Sequence, residues 1–378
     1  MTETIRQLTF IRKGRLEWRE VPRPALRSAE SALVRPLSAA RCDGDGLFLF
    51  HDYSRALALG ACLRWVDPEV RELGARPFAG PFAYGHECIA EIVEIGEAVA
   101  TRRVGEHVVV PWAISCGSCR TCVRGFTSHC ERSGRTLAAY GLGGRAGGWG
   151  GAVSDLVCVP YADAMLVPVP AGVAPLELAS ASDNLTDAWR SVAPHLRAEP
   201  GAPVLVVGGA AASIGLYAAG LAVALGASRV DYADSDSRRL AQAEALGARA
   251  LELAPSGRSR HLQPSARDYL VSVEASSSEA GLRLAIAALA AGGVCTSVGY
   301  LFRKGTPLPL WHMFLKGTRL DVGVANARAH LPDLLAFIAA GRFRPSRIAT
   351  LVADWEDASE ALLDRSATKV VVTRSFLG

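Results

Sequence analysis

The sequence predicts an α/β chain in two parts, an irregular β-rich part and a doubly wound α/β part. Three observations carry this expectation. Short apolar bursts punctuated by Gly and Pro occupy the N-terminal half, as irregular strands would. After Pro200 comes a continuous apolar run, Val204-Leu205-Val206-Val207, expected of a parallel strand buried on both faces. From there strand and helix patterns alternate, which is the order of a doubly wound sheet. The expected division is residues 1–183 and 321–378 for the β-rich part and 184–320 for the α/β part.

The bursts are Ala32-Leu33-Val34-Arg35-Pro36, Ile89 to Ile95, and Glu106-His107-Val108-Val109-Val110-Pro111. Between Phe48 and Phe82 the pattern weakens, and Leu57, Leu59, Cys62, Leu63 and Val66 recur at helical spacing. A short helical insertion is expected there. Beyond Val207 a Gly/Ala-rich turn precedes an alanine-rich helix from about Ile214 to Leu225. A strand ending near Asp234, a helix over Ser237–Leu246 and strands at Tyr269–Val273 and Gly293–Val298 complete the alternation. The C-terminal stretch predicts helices near Leu331–Ala340 and Trp355–Leu363 and a last strand at Lys369–Val372.

Of the 378 residues 50% are hydrophobic and 21% charged, enough to build a core and unlike a disordered or coiled-coil chain. The net charge of +4 comes from dispersed basic residues, so no nucleic-acid footprint is expected. Apolar runs are broken by Gly, Arg or Asp before the ~20 residues of a membrane span. Met1 to Arg12 carries Glu3 and no apolar core, so no secretory signal is expected and the expected location is cytoplasmic. The cysteine count of 9 is odd, and Cys116, Cys119, Cys122 and Cys130 crowd together. In a reducing compartment that clustering points to metal rather than to disulfides.

These four cysteines read C-x2-C-x2-C-x7-C, with Gly117 and Gly125 supplying turns. Four thiolates on tight loops close a tetrahedral shell, which suits a structural zinc ion and leaves no position for chemistry. An iron–sulfur cluster also uses C-x2-C-x2-C, but with a shorter last gap and a following Pro, where Glu131 stands here. Unliganded thiols are the remaining reading.

Cys42-Asp43-Gly44-Asp45, then Gly85-His86-Glu87, then the four-cysteine lobe, then a nucleotide-binding half follow in that order. With this ordered set the chain resembles the zinc-dependent medium-chain alcohol dehydrogenases over nearly its whole length. The resemblance implies a GroES-like catalytic domain for the β-rich part and a Rossmann cofactor domain for the α/β part. It also implies a second, catalytic zinc with three protein ligands and one open position. Alone, Cys42 reads as a buried small side chain and His86 as a core histidine; in this context they match the first two ligands. The third stands just before the helix leading into the cofactor domain, in Ala181-Ser182-Asp183-Asn184-Leu185-Thr186-Asp187. Asp183 matches members that read Ser-Asp with an aromatic six residues on, here Trp189. Asp187 and Ser182 are weaker candidates, and a helix N-cap is the alternative role for Asp183.

The resemblance gives Glu87 a place beside the metal, exchanging for water or supporting a ligand, and gives Asp45 a hydrogen-bonding role behind a ligand. One departure stands out. Many members carry Ser or Thr two residues after the ligand cysteine, passing the alcohol proton towards solvent; here that residue is Gly44, and Leu47 replaces a histidine often found a few residues on. His51, Asp43, Tyr53 or a water are the candidates to substitute. A proton relay matters for an alcohol/carbonyl pair and less for reducing an iminium or conjugated alkene.

In the second half, Gly208-Gly209-Ala210-Ala211-Ala212-Ser213-Ile214-Gly215 is one residue longer than G-x-G-x-x-G. Its small residues still let backbone approach a pyrophosphate at a helix N-terminus, and Gly215 permits close helix–strand packing. Asp234 ends the next strand, where a carboxylate accepts the adenosine ribose and repels a 2′-phosphate, favouring NAD over NADP. Arg238 or Arg239 would serve a phosphate if Asp234 pointed away. Val298 and Gly299, with Tyr300, are placed by the fold at the nicotinamide end. Phe48, Phe50, Trp65, Trp112, Trp149 and Trp311 include core residues and candidate pocket walls.

The expectation is therefore an NAD-dependent oxidoreductase with two zinc ions per chain, acting on an alcohol/carbonyl substrate in a cleft between domains, and assembled as a homodimer or homotetramer. Alternatives are a reductase of C=N or C=C bonds on the same scaffold and, less favoured, a non-catalytic cofactor-binding relative.

Overall fold

The computed structural model describes residues 3–73, 76–134, 137–143, 148–254 and 268–374. The chain divides into two units, Met1–Thr186 with Asn326–Gly378, and Asp187–Ala325. Both boundaries fall a few residues beyond 183 and 320. Asn184 stays with the first unit because its backbone N–H and side chain are bound to Glu87 and Cys42. Arg319–Val322 stays with the second because it is the last strand of that unit's sheet.

In the first unit the central strand is Ala32–Ala40, of which only Arg35 is exposed. On one side it pairs antiparallel with Glu87–Ile95, on the other with Val370–Thr373, while Val157–Val159 adds to its start. His107–Val110 and Val167–Pro168 extend the sheet beyond Glu87–Ile95, and Leu351–Asp354 beyond Val370–Thr373. A three-stranded sheet of Arg15–Pro22, Thr4–Arg12 and Phe82–Ala83 accompanies it. The register decides where chemistry can occur. Ala40 lies opposite both Glu87 and Val371, so the chain leaving towards Cys42, the chain arriving through His86, and Lys369 just ahead of Val370 meet at one end of three adjacent strands.

The insertion after Phe48 forms a helix, Tyr53–Cys62, capped by the Asp52 carboxylate accepting the Arg55 N–H. The expected apolar face is only partly its buried face: Leu57 and Gly60 are buried, whereas Leu59, Cys62 and Leu63 are exposed. The reason lies in the turn that follows, where Val66 packs so closely on Gly60 that an added Cβ would come 2.8 Å from Val66 Cγ1. Close backbone approach, rather than a stripe of large side chains, seats this helix.

The second unit is a six-stranded sheet, all parallel, in the order Arg249–Glu252, Val230–Asp234, Val204–Val207, Tyr269–Glu274, Leu289–Ser297, Arg319–Val322. Every residue of the central strand Val204–Val207 is buried. The helix after it, Ala212–Ala224, is apolar all round and buried from Ser213 to Ala222, so its small side chains let it lie close to the sheet. The sheet is wound outward in both directions from Val204–Val207. Its carboxyl end at Gly208 is therefore a topological switch point, the usual place for a ligand in such sheets.

Near the C-terminus the expected helix over Trp355–Leu363 is a short 3₁₀ turn, Trp355–Asp357, running into a single helical turn, Ala358–Ala361. Among the described residues, no helix is long and apolar enough to cross a membrane.

Candidate active site

Cys42, His86 and Asp183 converge: one ligating atom from each lies within 4.8 Å of the others. Cys42 Sγ is 3.1 Å from Asp183 Oδ2, and His86 Nε2 is 3.3 Å from that oxygen. Cys42 and His86 are buried and the Asp183 side chain is 14% exposed, which gives the group one accessible side. A sulfur, an imidazole nitrogen and a carboxylate oxygen form a zinc-type donor set, and three donors leave a tetrahedral ion one open position. The histidine settles which nitrogen faces inward. His86 Nδ1 and Asp45 Oδ1 are both buried without a hydrogen-bond partner among the described residues, and they face each other at 3.8 Å. A neutral His86 carrying its proton on Nδ1 directs it at Asp45 and presents Nε2 to a metal. Asp45 is itself held by the Tyr84 hydroxyl at 2.7 Å and the Cys42 N–H at 3.2 Å. Of the weaker third-ligand candidates, Ser182 is tied to the Cys88 backbone and Asp187 to Arg190.

None of the hydrogen bonds to the Glu87 carboxylate comes from Cys42, His86 or Asp183. The carboxylate accepts the Lys369 ammonium at 2.6 Å, the Asn184 N–H at 2.8 Å and the Ser180 hydroxyl at 3.2 Å. Lys369 and Glu87 are both fully buried. Lys369 also donates to the Arg41 carbonyl at 2.7 Å and to Asn184 Oδ1 at 2.9 Å. A buried charge needs this number of partners. Sequence reading missed Lys369, Asn184, Tyr84 and Ser180. The available signal was Lys369 itself, a single cation at the head of the apolar run Val370-Val371-Val372.

At Gly44 the N–H donates to Cys42 Sγ at 3.2 Å, so this residue serves the ligand through its backbone. Among the residues expected to replace the missing hydroxyl, His51 is exposed with its ring 6.0 Å from Tyr53, and Asp43 donates its N–H to Asn184 Oδ1. Of the aromatic candidates, Phe48 and Trp112 are buried, whereas Trp65 and Trp311 are 67% and 70% exposed.

In the lobe, the sulfurs of Cys116, Cys119, Cys122 and Cys130 all lie within 4.8 Å of one another and all four residues are buried. Cys130 Sγ accepts the Cys116 N–H, and Cys116 Sγ the Cys119 N–H. Gly117 has φ +72°, and a Cβ there would press on Ala164 at 2.9 Å. The turn between the first two cysteines needs glycine on both counts.

In the second unit, a Cβ on Gly208 would fall 2.4 Å from Asp234 Oδ2 and one on Gly209 would fall 2.6 Å from Ser276 Cα. Gly215 lies against Ala275 and Tyr232, the tight helix–strand packing its position calls for. Ala211, which caps the helix, has no side-chain oxygen to bond the first N–H groups, and Ser213 and Ile214 are buried in its first turn. Asp234 ends its strand buried, gripped by Arg239 through two bonds of 2.7 and 2.8 Å. Val298 is buried. Gly299 packs on Glu274 and the Ser277 backbone, where a Cβ would come within 2.8 Å.

Residues 55–171 match the alcohol dehydrogenase GroES-like domain, and residues 213–340 match the zinc-binding dehydrogenase family. A probable zinc-binding alcohol dehydrogenase of Mycobacterium tuberculosis is 28% identical over 90% of this chain and 79% of its own. The glutathione-independent formaldehyde dehydrogenase of Pseudomonas aeruginosa is 38% identical over 43% of this chain and 41% of its own length. The solved structure of alcohol dehydrogenase TADH from Thermus sp. ATN1 superposes with a TM-score of 0.82 at 28% identity, covering 98% of this chain and 99% of that one. The chain belongs to the zinc-dependent medium-chain dehydrogenase family. As a family member it is an oxidoreductase, built from a GroES-like domain and a Rossmann-type domain.

In this dehydrogenase the electrostatics of the three-donor site set a condition on metal uptake. Burial pushes the Cys42 thiol well above its ordinary value, and the nearby Asp183, Asp45 and Glu87 charges push it further. Burial lowers His86, but the Asp45 and Asp183 carboxylates outweigh it and bring the imidazole up to about 9. At neutral pH the metal-free site therefore holds a proton on each, and both must leave for a metal to bind. Zinc uptake at this site is expected to release two protons, with affinity rising about 100-fold per pH unit up to about 9, where the His86 share ends. Calorimetry in buffers of different ionisation enthalpy, between pH 6.5 and 9, checks the count; release of none would contradict it.

Proposed function

We propose that this dehydrogenase moves a hydride between NAD(H) and an alcohol/carbonyl pair, with Cys42, His86 and Asp183 holding one zinc ion and the four-cysteine lobe a second. The convergence of a sulfur, a nitrogen and an oxygen donor on one partly open point carries this reading. When bound, the ion supplies a Lewis acid for the substrate oxygen and the dinucleotide supplies or accepts the hydride. The chain's own contribution is orientation. Asp45 holds the His86 ring so that Nε2 faces the other donors. The Gly44 N–H holds the Cys42 sulfur. Glu87, tied to Lys369, anchors the backbone at Asn184. The relatives' names are those of alcohol and formaldehyde enzymes, which supports an alcohol/carbonyl pair over an iminium or conjugated alkene. A cytoplasmic location fits nine cysteines with no disulfide among them.

Replacing Cys42 with Ser is expected to reduce turnover below detection and to lower the zinc content from two ions per chain to one, with NADH binding retained. Metal analysis, steady-state rates and NADH fluorescence on one preparation check this. Full activity would refute the assignment.

The dinucleotide preference rests on Asp234. Its carboxylate sits at the strand end beside Gly208, where it meets an adenosine ribose and opposes a 2′-phosphate. Arg239 neutralises much of that charge through its two-bond grip, so the preference for NAD should be moderate. Arg239→Leu takes the cation away from Asp234 and is expected to raise the ratio of kcat/KM for NAD over NADP by about tenfold, the effect of ~1.4 kcal/mol. A fall in that ratio would show Arg239 serving no phosphate-tolerant role.

Self-association is supported by the edge of the second unit's sheet. Arg319–Val322 is an edge strand, and beside it Leu310, Trp311, Phe314 and Leu315 on one short helix are exposed, with Phe314 at 74% and Val322 at 72%. An open strand edge next to a large apolar patch invites pairing with its own copy across a two-fold axis. Sedimentation velocity is expected to show a dimer or tetramer that Phe314→Glu shifts towards monomer.

A further inference from the structure

Asn184 is 1% exposed, and its side chain joins the metal ligands to the buried ion pair behind them. Its Oδ1 accepts the Lys369 ammonium at 2.9 Å and the Asp43 N–H at 3.0 Å. Two donors on one oxygen determine which way the carboxamide lies, because the flipped form would set an NH₂ against an ammonium. Nδ2 consequently faces Cys42 Sγ at 3.2 Å and Asp183 Oδ2 at 3.2 Å. One side chain thus contacts two of the three metal donors with its N–H groups while its oxygen is bound to a fixed positive charge.

We propose that Asn184 is a positioning residue of the metal centre, orienting Cys42 and Asp183 together and drawing charge off the Cys42 sulfur through an N–H polarised by Lys369. The inference rests on the reading of Cys42, His86 and Asp183 as a metal site. An amide whose carbonyl is bound to a cation donates more strongly through its NH₂. A sulfur that accepts such a bond is a weaker electron donor to a metal, and its lone pairs lie lower in energy. The sulfur's other donor within the same loop, the Gly44 N–H, is backbone and invariant to substitution, so the adjustable part of the sulfur's surroundings resides in Asn184.

The test uses full-length protein with zinc kept in the lobe and cobalt(II) exchanged into the three-donor site, with two variants. Asn184→Asp keeps an oxygen for Lys369 and Asp43 but removes the donor facing the sulfur; Asn184→Leu removes both ends and retains the shape. Both are expected to move the sulfur-to-cobalt absorption band to longer wavelength, since the sulfur regains charge, and Asn184→Leu, which loses the orientation of both donors, to weaken zinc at this site about 10- to 100-fold in chelator competition. A residue that served packing alone would leave the band where it is. If Asn184→Leu fails to fold, the band of Asn184→Asp decides. Band position unchanged and zinc affinity within twofold of the parent, with two metal ions bound per chain, overturns the role of Asn184 and leaves the ligand assignment standing. A parent protein that binds metal in the lobe alone overturns both.

Discussion

The contact on which the active unit depends is an ion pair with no access to water. Lys369 and Glu87 meet at 2.6 Å, fully buried, where three strands end side by side. Placing two charges there costs several kcal/mol per ion, and their mutual attraction offsets this only when the remaining hydrogen-bonding capacity is also used. It is used: the ammonium has three oxygen partners and the carboxylate three donors. Three of the groups involved sit next to the three converging residues Cys42, His86 and Asp183. Arg41 precedes Cys42, Glu87 follows His86 and Asn184 follows Asp183. The pair therefore works as a common anchor for three stretches of chain that are remote in sequence, and leaving either charge alone would cost about 3–5 kcal/mol.

Much of this molecule was legible in its residues, and the parts that were not share one physical cause. The continuous run Val204–Val207 is buried on both faces as its composition requires, and the alternation after it is a parallel sheet wound outward from that strand. The donors Cys42, His86 and Asp183 were named from motif order, and the structure brings them together. Lys369 and Asn184 were overlooked because their roles come from register. Nothing local in Ser182-Asp183-Asn184 says that this asparagine will lie against a strand end whose partner is more than 180 residues away. The insertion helix was expected from spacing, but which face it buries was set by contact between Gly60 and Val66, a short-range steric fact that hydrophobic periodicity does not encode.

Asp234 shows the same limit within a recognised motif. Position in the chain identifies a strand-end carboxylate facing the glycine turn, and that reading concerns where the charge is. How much charge is felt there depends on Arg239, five residues on, which returns along the first turn of the next helix to bind both oxygens. The nearer Arg238 pairs instead with Asp236. Both arginines reach Asp236, but only Arg239 also reaches Asp234, because successive helical residues point in different directions.

The two sulfur environments differ in a way that follows their separate tasks. Burial raises all four thiols of the lobe. For Cys116 and Cys119, hydrogen bonds outweigh it and lower the thiol, that of Cys119 to about 5, while Cys122 and Cys130 remain high beside their sulfur neighbours. Two of the lobe's four thiols are thus held closer to the thiolate form that binds a metal. Cys42 has no such help: burial and three surrounding carboxylates hold its proton on. A closed four-sulfur site suits a structural ion, whereas a site surrounded by negative charge retains a divalent cation strongly once both protons are gone. On the proposed reading, the carboxylates that resist loading would then be the groups that keep the metal in place, with the N–H groups of Gly44 and Asn184 directed at the one sulfur among them.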